Sequence, residues 1–125
     1  MWQKLILLGL AGALGTLARY GLGTLVQRLP GAEAPWSTLA VNILGCFLAG
    51  LVWALFETKW PSNGETRVLV LVGFFGAFTT FSALYLDTGE LIRSAKWAHA
   101  ATNVALQNGL GLMALFGGAV LGRMG

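Results

Sequence analysis

Polar side chains that could do chemistry lie inside long apolar stretches of this 125-residue chain. They form four groups, namely Arg19, then Asn42, then Thr79, Thr80 and Ser82, and finally Asn103 and Gln107. A polar side chain at bilayer depth costs free energy, so each group is a functional candidate. The groups offer amide, hydroxyl and guanidinium donors, whereas a path for cations or protons normally needs carboxylates near the midplane. The acids of the third apolar segment, Asp87 and Glu90, lie near its end, so the inventory suits an anion.

Each group also has a purely structural explanation, which the sequence leaves open. Arg19 lies roughly 24 Å into the first segment at about 1.5 Å per residue, where it could attract an anion or extend its charge to the lipid headgroups. Asn42 could donate to an ion or make a hydrogen bond between helices. Asn103 and Gln107 share one helix face, which predicts either a polar track or ordinary helix packing.

Glycine and hydroxyl residues near the middle of the third segment predict a break in the helix. The run from Gly73 to Ser82 reads Gly-Phe-Phe-Gly-Ala-Phe-Thr-Thr-Phe-Ser. Non-helical backbone is tolerated at this depth only where it is buried or lines a cavity, and a break frees carbonyls that can bind a small cation such as Na⁺. The phenylalanines, Phe81 among them, predict core packing, although an electropositive ring edge could also contact a small anion.

Four apolar segments must position these side chains. The chain is 56% hydrophobic and 10% charged, whereas a soluble domain carries about 25% charged residues. No charged residue occurs in residues 34–56, 68–86 or 97–122, and uncharged apolar stretches of about 18 residues or more are typical of membrane-spanning helices. We therefore predict an all-α membrane protein, a single transmembrane domain over residues 1–125, with four transmembrane helices at about 2–26, 36–56, 67–92 and 96–121.

Positive charge is distributed almost evenly over the two sides of the predicted bundle. One side carries Lys4, Lys59, Arg67 and Arg123, and the other carries Arg28, Arg93 and Lys96. An excess of Lys and Arg on one side normally sets the orientation, so a difference of one residue sets it weakly. Such a chain could insert in both orientations and pair with itself antiparallel, or one orientation could still prevail. The basic residues form no run or patch, which argues against nucleic acid as a partner.

Three motifs resemble those of a known family, the bacterial fluoride channels or CrcB proteins. They are residues 12–20 (GALGTLARY), 37–45 (STLAVNILG) and 73–82 (GFFGAFTTFS), in the first three segments. The resemblance implies a fluoride-specific channel that exports fluoride passively across the bacterial plasma (inner) membrane. It also implies an antiparallel, dual-topology homodimer embedded in membrane lipid, with two pores.

The resemblance further implies which residues line the pore. Asn42 would donate a hydrogen bond to fluoride, and Phe81 would be the first ring of a phenylalanine pair. Thr80 and Ser82 would lie on a hydroxyl-lined path. The chain departs from the family pattern at Leu84, which stands where the second ring is expected.

Three more roles follow from the same resemblance. Asn103 and Gln107 would lie on the fluoride path in the fourth segment, where the family often has a tyrosine and a small polar residue or histidine. Arg19 would stand beside the aqueous vestibule. The backbone carbonyls of Gly76 and Thr79 would hold a structural Na⁺ at the centre of the dimer.

Two other classes of membrane protein fit part of the pattern. A small antiparallel four-helix exporter of drugs or cations has a similar length, but it should carry a glutamate in the middle of the first segment, where this chain has none. A passive subunit of a larger membrane complex is compatible with the composition, although the polar groups disfavour it. An enzyme is disfavoured because the chain has one histidine, one cysteine and no acid–base cluster in a span.

Overall fold

The computed structural model describes residues 1–31 and 35–124. It has four long apolar helical segments that could each cross a membrane, Trp2–Gln27, Trp36–Thr58, Gly64–Arg93 and Trp97–Arg123, and no strand within the described residues. The ends of these segments lie within three residues of the predicted ones. The all-helical fold with a broken third helix is confirmed, while the dimer and its dual topology remain predictions.

The first two segments are uninterrupted helices, α1 (Trp2–Gln27) and α2 (Trp36–Thr58). After α1 the chain turns at Pro30 and Gly31, and Gly31 has a φ of +76°, which a glycine adopts without steric cost. The sequence predicts a turn over residues 27–35, broken by Pro30 and Gly31. The structure has turn or bend backbone at residues 28–31 and 35, and residues 32–34 lie outside the described residues.

The third segment consists of four pieces. It begins with α3 (Gly64–Arg67), continues as a π-helical stretch (Val68–Phe75) and a short α4 (Gly76–Phe78), and ends with α5 (Phe81–Arg93). Between α4 and α5, Thr79 and Thr80 have extended backbone, with ψ angles of 157° and 117°. These two residues are called the break below.

A tight turn joins α5 to the fourth segment, α6 (Trp97–Arg123). The N–H of Lys96 donates to the carbonyl of Leu91 at 2.8 Å, and Ala95 between them has a φ of 58°. A left-handed residue spanned by such a bond is the usual C-terminal closure of a helix. The turn reverses the direction of the chain, and α6 packs against α5.

Glycines allow the helices to approach closely. A Cβ at Gly118 of α6 would collide with the carbonyl of Phe47 on α2, and one at Gly50 would collide with that of Leu115 on α6. Likewise, a Cβ at Gly15 of α1 would collide with the backbone of the π-helical stretch. Small residues at such contacts are how helices pack in lipid, where no hydrophobic force drives them together.

Candidate functional site

The side chain of Asn42, on α2, braces the break in the third segment through both backbone groups of Thr80. The Thr80 N–H donates to Asn42 Oδ1 at 2.7 Å, and Asn42 Nδ2 donates to the Thr80 carbonyl at 3.0 Å. Asn42 is 8% exposed. A backbone N–H and C=O that leave a helix inside a membrane must find partners, and one buried amide supplies both.

The same amide continues into a chain of side-chain hydrogen bonds. Asn42 Nδ2 also donates to Gln107 Oε1 at 2.7 Å, and Gln107 Nε2 donates to Asn103 Oδ1 at 3.0 Å. Asn103 Nδ2 then donates to Thr88 Oγ1 at 3.0 Å, and Thr88 donates to the carbonyl of Leu84 at 2.7 Å. All four side chains are buried. We call Asn42, Gln107, Asn103 and Thr88 the amide chain.

Thr88 is the member of the amide chain that was not predicted from the sequence. A lone threonine in a helix usually bonds back to the carbonyl four residues earlier, and Thr88 does so. The signal that could have identified it is its position four residues after Leu84, which places both on one helix face. In the structure both residues are buried. That face packs against α6, which carries Asn103.

The predicted pore residues Phe81 and Ser82 lie apart from the amide chain. Phe81 is 69% exposed, and its ring stacks at a tilt on Tyr85 with 4.7 Å between centroids. Ser82 is exposed and lies 3.4 Å from Thr80 between their hydroxyl oxygens. Thr80 therefore links two surfaces, because its backbone bonds to buried Asn42 and its hydroxyl points to the exposed side.

The carbonyls of Gly76 and Thr79 have lost their usual helical donors. In a continuous helix they would accept from the N–H groups of Thr80 and Ala83, four residues later. The Thr80 N–H donates instead to Asn42, and the Ala83 N–H donates to Thr80 Oγ1 at 3.1 Å. Two side-chain oxygens thus accept these N–H groups in place of the two carbonyls. Backbone carbonyls released from a helix in this way are the kind of ligand that can bind a small cation.

Arg19 also bonds to the backbone next to the break. Its Nε donates to the carbonyl of Ala77 at 3.1 Å, so a cationic side chain satisfies the C-terminal end of α4. Arg19 is half-buried and lines a pocket of about 210 Å³ that reaches Thr80. A larger pocket, of about 310 Å³, has Asn103 in its wall. Hydrogen bonds through Asn42 and Gln107 connect Thr80 of the smaller pocket to Asn103 of the larger one.

Comparison with known proteins places these features in a family. A family model described as CrcB-like protein, Camphor Resistance (CrcB), matches residues 6–119. A fluoride-specific ion channel FluC of Desulforapulum autotrophicum is 55% identical over 124 residues, which cover 99% of each chain. The protein of the same name from Nitrosococcus oceani is 49% identical with the same coverage. That of Parabacteroides distasonis is 40% identical over 96% of this chain and 93% of its own.

Proposed function

Since the chain belongs to the CrcB-like protein family, we propose that it is a fluoride-specific ion channel, a multi-pass protein of the bacterial membrane. The observation that carries this function is full-length similarity to relatives that bear this name, at up to 55% identity. The four long apolar helices provide the membrane spans. The activity is transport rather than catalysis, and the chain moves fluoride passively, out of the cell, which relieves fluoride toxicity.

The polar groups beside the break match the needs of a small, strongly hydrated anion. Losing its water is the main barrier for fluoride, so the pore must offer donors at close range. We propose that Asn42 and Phe81 come closest to the ion, with Thr80 and Ser82 on the same path. The Asn42 N–H that donates to Gln107 is the one fluoride can compete for, because its present acceptor is on a side chain that can turn away, whereas the other N–H is held by the backbone carbonyl of Thr80. Uncharged donors let the ion bind and still leave.

An antiparallel homodimer explains why Phe81 and Ser82 face away from the amide chain. In the single chain both residues are exposed. A second copy in the opposite orientation covers this surface, and the pore is completed where the protomers meet. The almost equal numbers of basic residues on the two sides support insertion in both orientations.

We also propose that a Na⁺ ion binds the carbonyls of Gly76 and Thr79. The support is that the N–H groups of Thr80 and Ala83 are taken by side-chain oxygens. When bound, the ion would add positive charge at the break and link the two protomers. The hydrogen-bond donors along the fluoride path are those of Asn42 and its neighbours.

The direct test is fluoride efflux from liposomes that contain the purified protein, followed with a fluoride electrode after a K⁺ ionophore releases the counter-charge. We expect rapid loss of internal fluoride and no comparable loss of chloride from matched liposomes. Protein-free liposomes give the background. Efflux no faster than that background, from correctly folded protein, would falsify the proposed function.

A further inference from the structure

The hydrogen bonds of the amide chain all run in one direction. The backbone of Thr80 determines how the Asn42 amide is turned, because its N–H can only donate and its carbonyl can only accept. Asn42 therefore presents an N–H to Gln107, whose oxygen must accept. The remaining N–H groups then point away from Thr80, along the chain towards Thr88.

A second backbone group, the carbonyl of Leu84, terminates the amide chain at Thr88. The single hydroxyl hydrogen of Thr88 is directed at the carbonyl of Leu84, 2.7 Å away. Its oxygen can therefore only accept, and it accepts from Asn103. The two ends require the same direction, and hydrogen bonds aligned in a chain polarise one another.

This direction decides which atoms remain available. The Asn42 oxygen, the Gln107 oxygen and the Asn103 oxygen each accept one hydrogen bond. Both Asn42 hydrogens donate. Gln107 and Asn103 each keep one amide hydrogen with no partner among residues 1–31 and 35–124. The free N–H donors of the amide chain therefore belong to Gln107 and Asn103, and Asn103 lies in the wall of the 310 Å³ pocket.

We infer that Thr88 is a positioning residue for fluoride conduction, which holds the Asn103 and Gln107 amides with their free hydrogens available to the anion. The inference rests on the proposed function. When fluoride competes for the Asn42 N–H, the Thr80 end no longer holds Gln107. The Thr88 end then becomes the anchor that keeps Asn103 Oδ1 turned to Gln107 and stops the amides from presenting oxygen to the anion.

Two pairs of variants that differ only by a hydroxyl test this role. Thr88→Val keeps the shape of native Thr88 without the hydroxyl, and Thr88→Ser keeps the hydroxyl that Thr88→Ala lacks. We expect fluoride efflux of Thr88→Val to fall by about tenfold or more, the size of one hydrogen bond lost from a group that stays buried. Thr88→Ser should conduct far faster than Thr88→Ala, and this second pair decides the matter if Thr88→Val does not fold.

Thr58→Val is the matched control. The Thr58 hydroxyl donates to the carbonyl four residues earlier, as that of Thr88 does, at 2.8 Å. It accepts no side-chain amide within the described part of the chain, so its loss should leave efflux unchanged. An equal fall in both valine variants overturns the inference, because it would reflect loss of any back-bonded threonine.

A measurement without fluoride separates this inference from the proposed function. In ¹⁵N-labelled protein, the side-chain NH₂ resonances of Asn103 and Gln107 should shift in Thr88→Val and return towards native positions in Thr88→Ser. Unchanged resonances overturn the positioning role even if the native protein conducts. Shifted resonances with native-like efflux overturn the link to conduction, while a native protein that conducts no fluoride removes the proposed function itself.

Discussion

At the scale of single residues, Asn42 is the side chain on which most of the polar structure depends. Its amide replaces two helical hydrogen bonds of Thr80 and begins the amide chain through Gln107. Every hydrogen-bonding atom of the amide is therefore engaged. A substitution that keeps its size but removes its donors should affect both the break and the path of the anion.

We expect Asn42→Asp to abolish nearly all fluoride efflux. An aspartate at this position loses both N–H donors, faces the oxygens of Thr80 and Gln107, and adds negative charge beside an anion path. The loss of two buried donor bonds predicts a fall of about a hundredfold or more. Efflux from liposomes measures it, and native-like flux in Asn42→Asp would exclude the pore assignment.

Asn63→Asp is the control for this change. Asn63 uses only its side-chain oxygen, which accepts from the Thr66 N–H at 2.8 Å at the start of α3. Aspartate caps a helix as well as asparagine does, so this variant should conduct like the native protein. A fall in both variants would point to a general effect of added negative charge.

The polar residues of the site could largely be predicted from the sequence, but their bonding could not. Arg19, Asn42 and the pair Asn103 and Gln107 stand out because polar groups inside apolar segments are rare. Their partners lie 58, 38 and 65 residues away in the bonds Arg19 to Ala77, Asn42 to Thr80 and Asn42 to Gln107. Only the packing of the helices brings such distant positions together.

At the scale of helices, the break and the stretch before it differ in how they could be foreseen. The glycines and threonines of residues 73–82 predict the break, which the structure has at Thr79 and Thr80. The π-helical stretch Val68–Phe75 was not predicted. Its sequence is a continuous apolar run without glycine until residue 73. Nothing in such a run distinguishes a π-helix, whose hydrogen bonds join residues five apart, from an α-helix, whose hydrogen bonds join residues four apart. In the folded protein this stretch packs against α1.

The break should bind Na⁺ and be stabilised by it. We expect the melting temperature of the protein in detergent to rise with NaCl and not with choline chloride, because a ligand that binds only the folded state stabilises it by about 2.7 kcal/mol at a concentration of 100 Kd. Identical melting curves in the two salts would remove the sodium site from the proposal.

Gly45→Ala tests where the ion binds. A Cβ at Gly45 would meet the Thr79 side chain and, at 2.8 Å, the ring of Phe78, so it should push the break and raise the NaCl concentration needed for stabilisation. Gly9→Ala is the control, since a Cβ at Gly9 has nothing within 4 Å. Equal sodium dependence of the two variants would place the ion away from Thr79.

At the scale of the whole molecule, much of the apolar surface of the chain remains outside. On α1, Gly15 is buried against the third segment, whereas Leu10, Leu14 and Leu17 are each more than half exposed. Lipid can cover such a surface, and so can a second copy. The composition predicted a membrane protein, but it could not divide this surface between lipid and partner, because both are equally apolar.

We expect the chain to insert in both orientations in about equal amounts, since its basic residues scarcely favour either side. Ser94→Cys and Thr66→Cys, each in a Cys46→Ala background, place an exposed thiol at opposite ends of the third segment without changing any charge. An impermeant thiol reagent should label about half of each variant from outside, and a permeant reagent should label all of it. Labelling of one variant alone would mean a single orientation.

The position of the break in the sequence also has a consequence for biosynthesis. Chains are made from the N-terminus, and their parts fold in that order. Arg19 and Asn42, which bond to Ala77 and Thr80, therefore enter the membrane before the break does. When the third segment leaves the insertion machinery, the donors and acceptors for its interrupted backbone are already within the bilayer. Nascent chains that stop just after α5 should accordingly hold the break in place, and those that lack α1 and α2 should not.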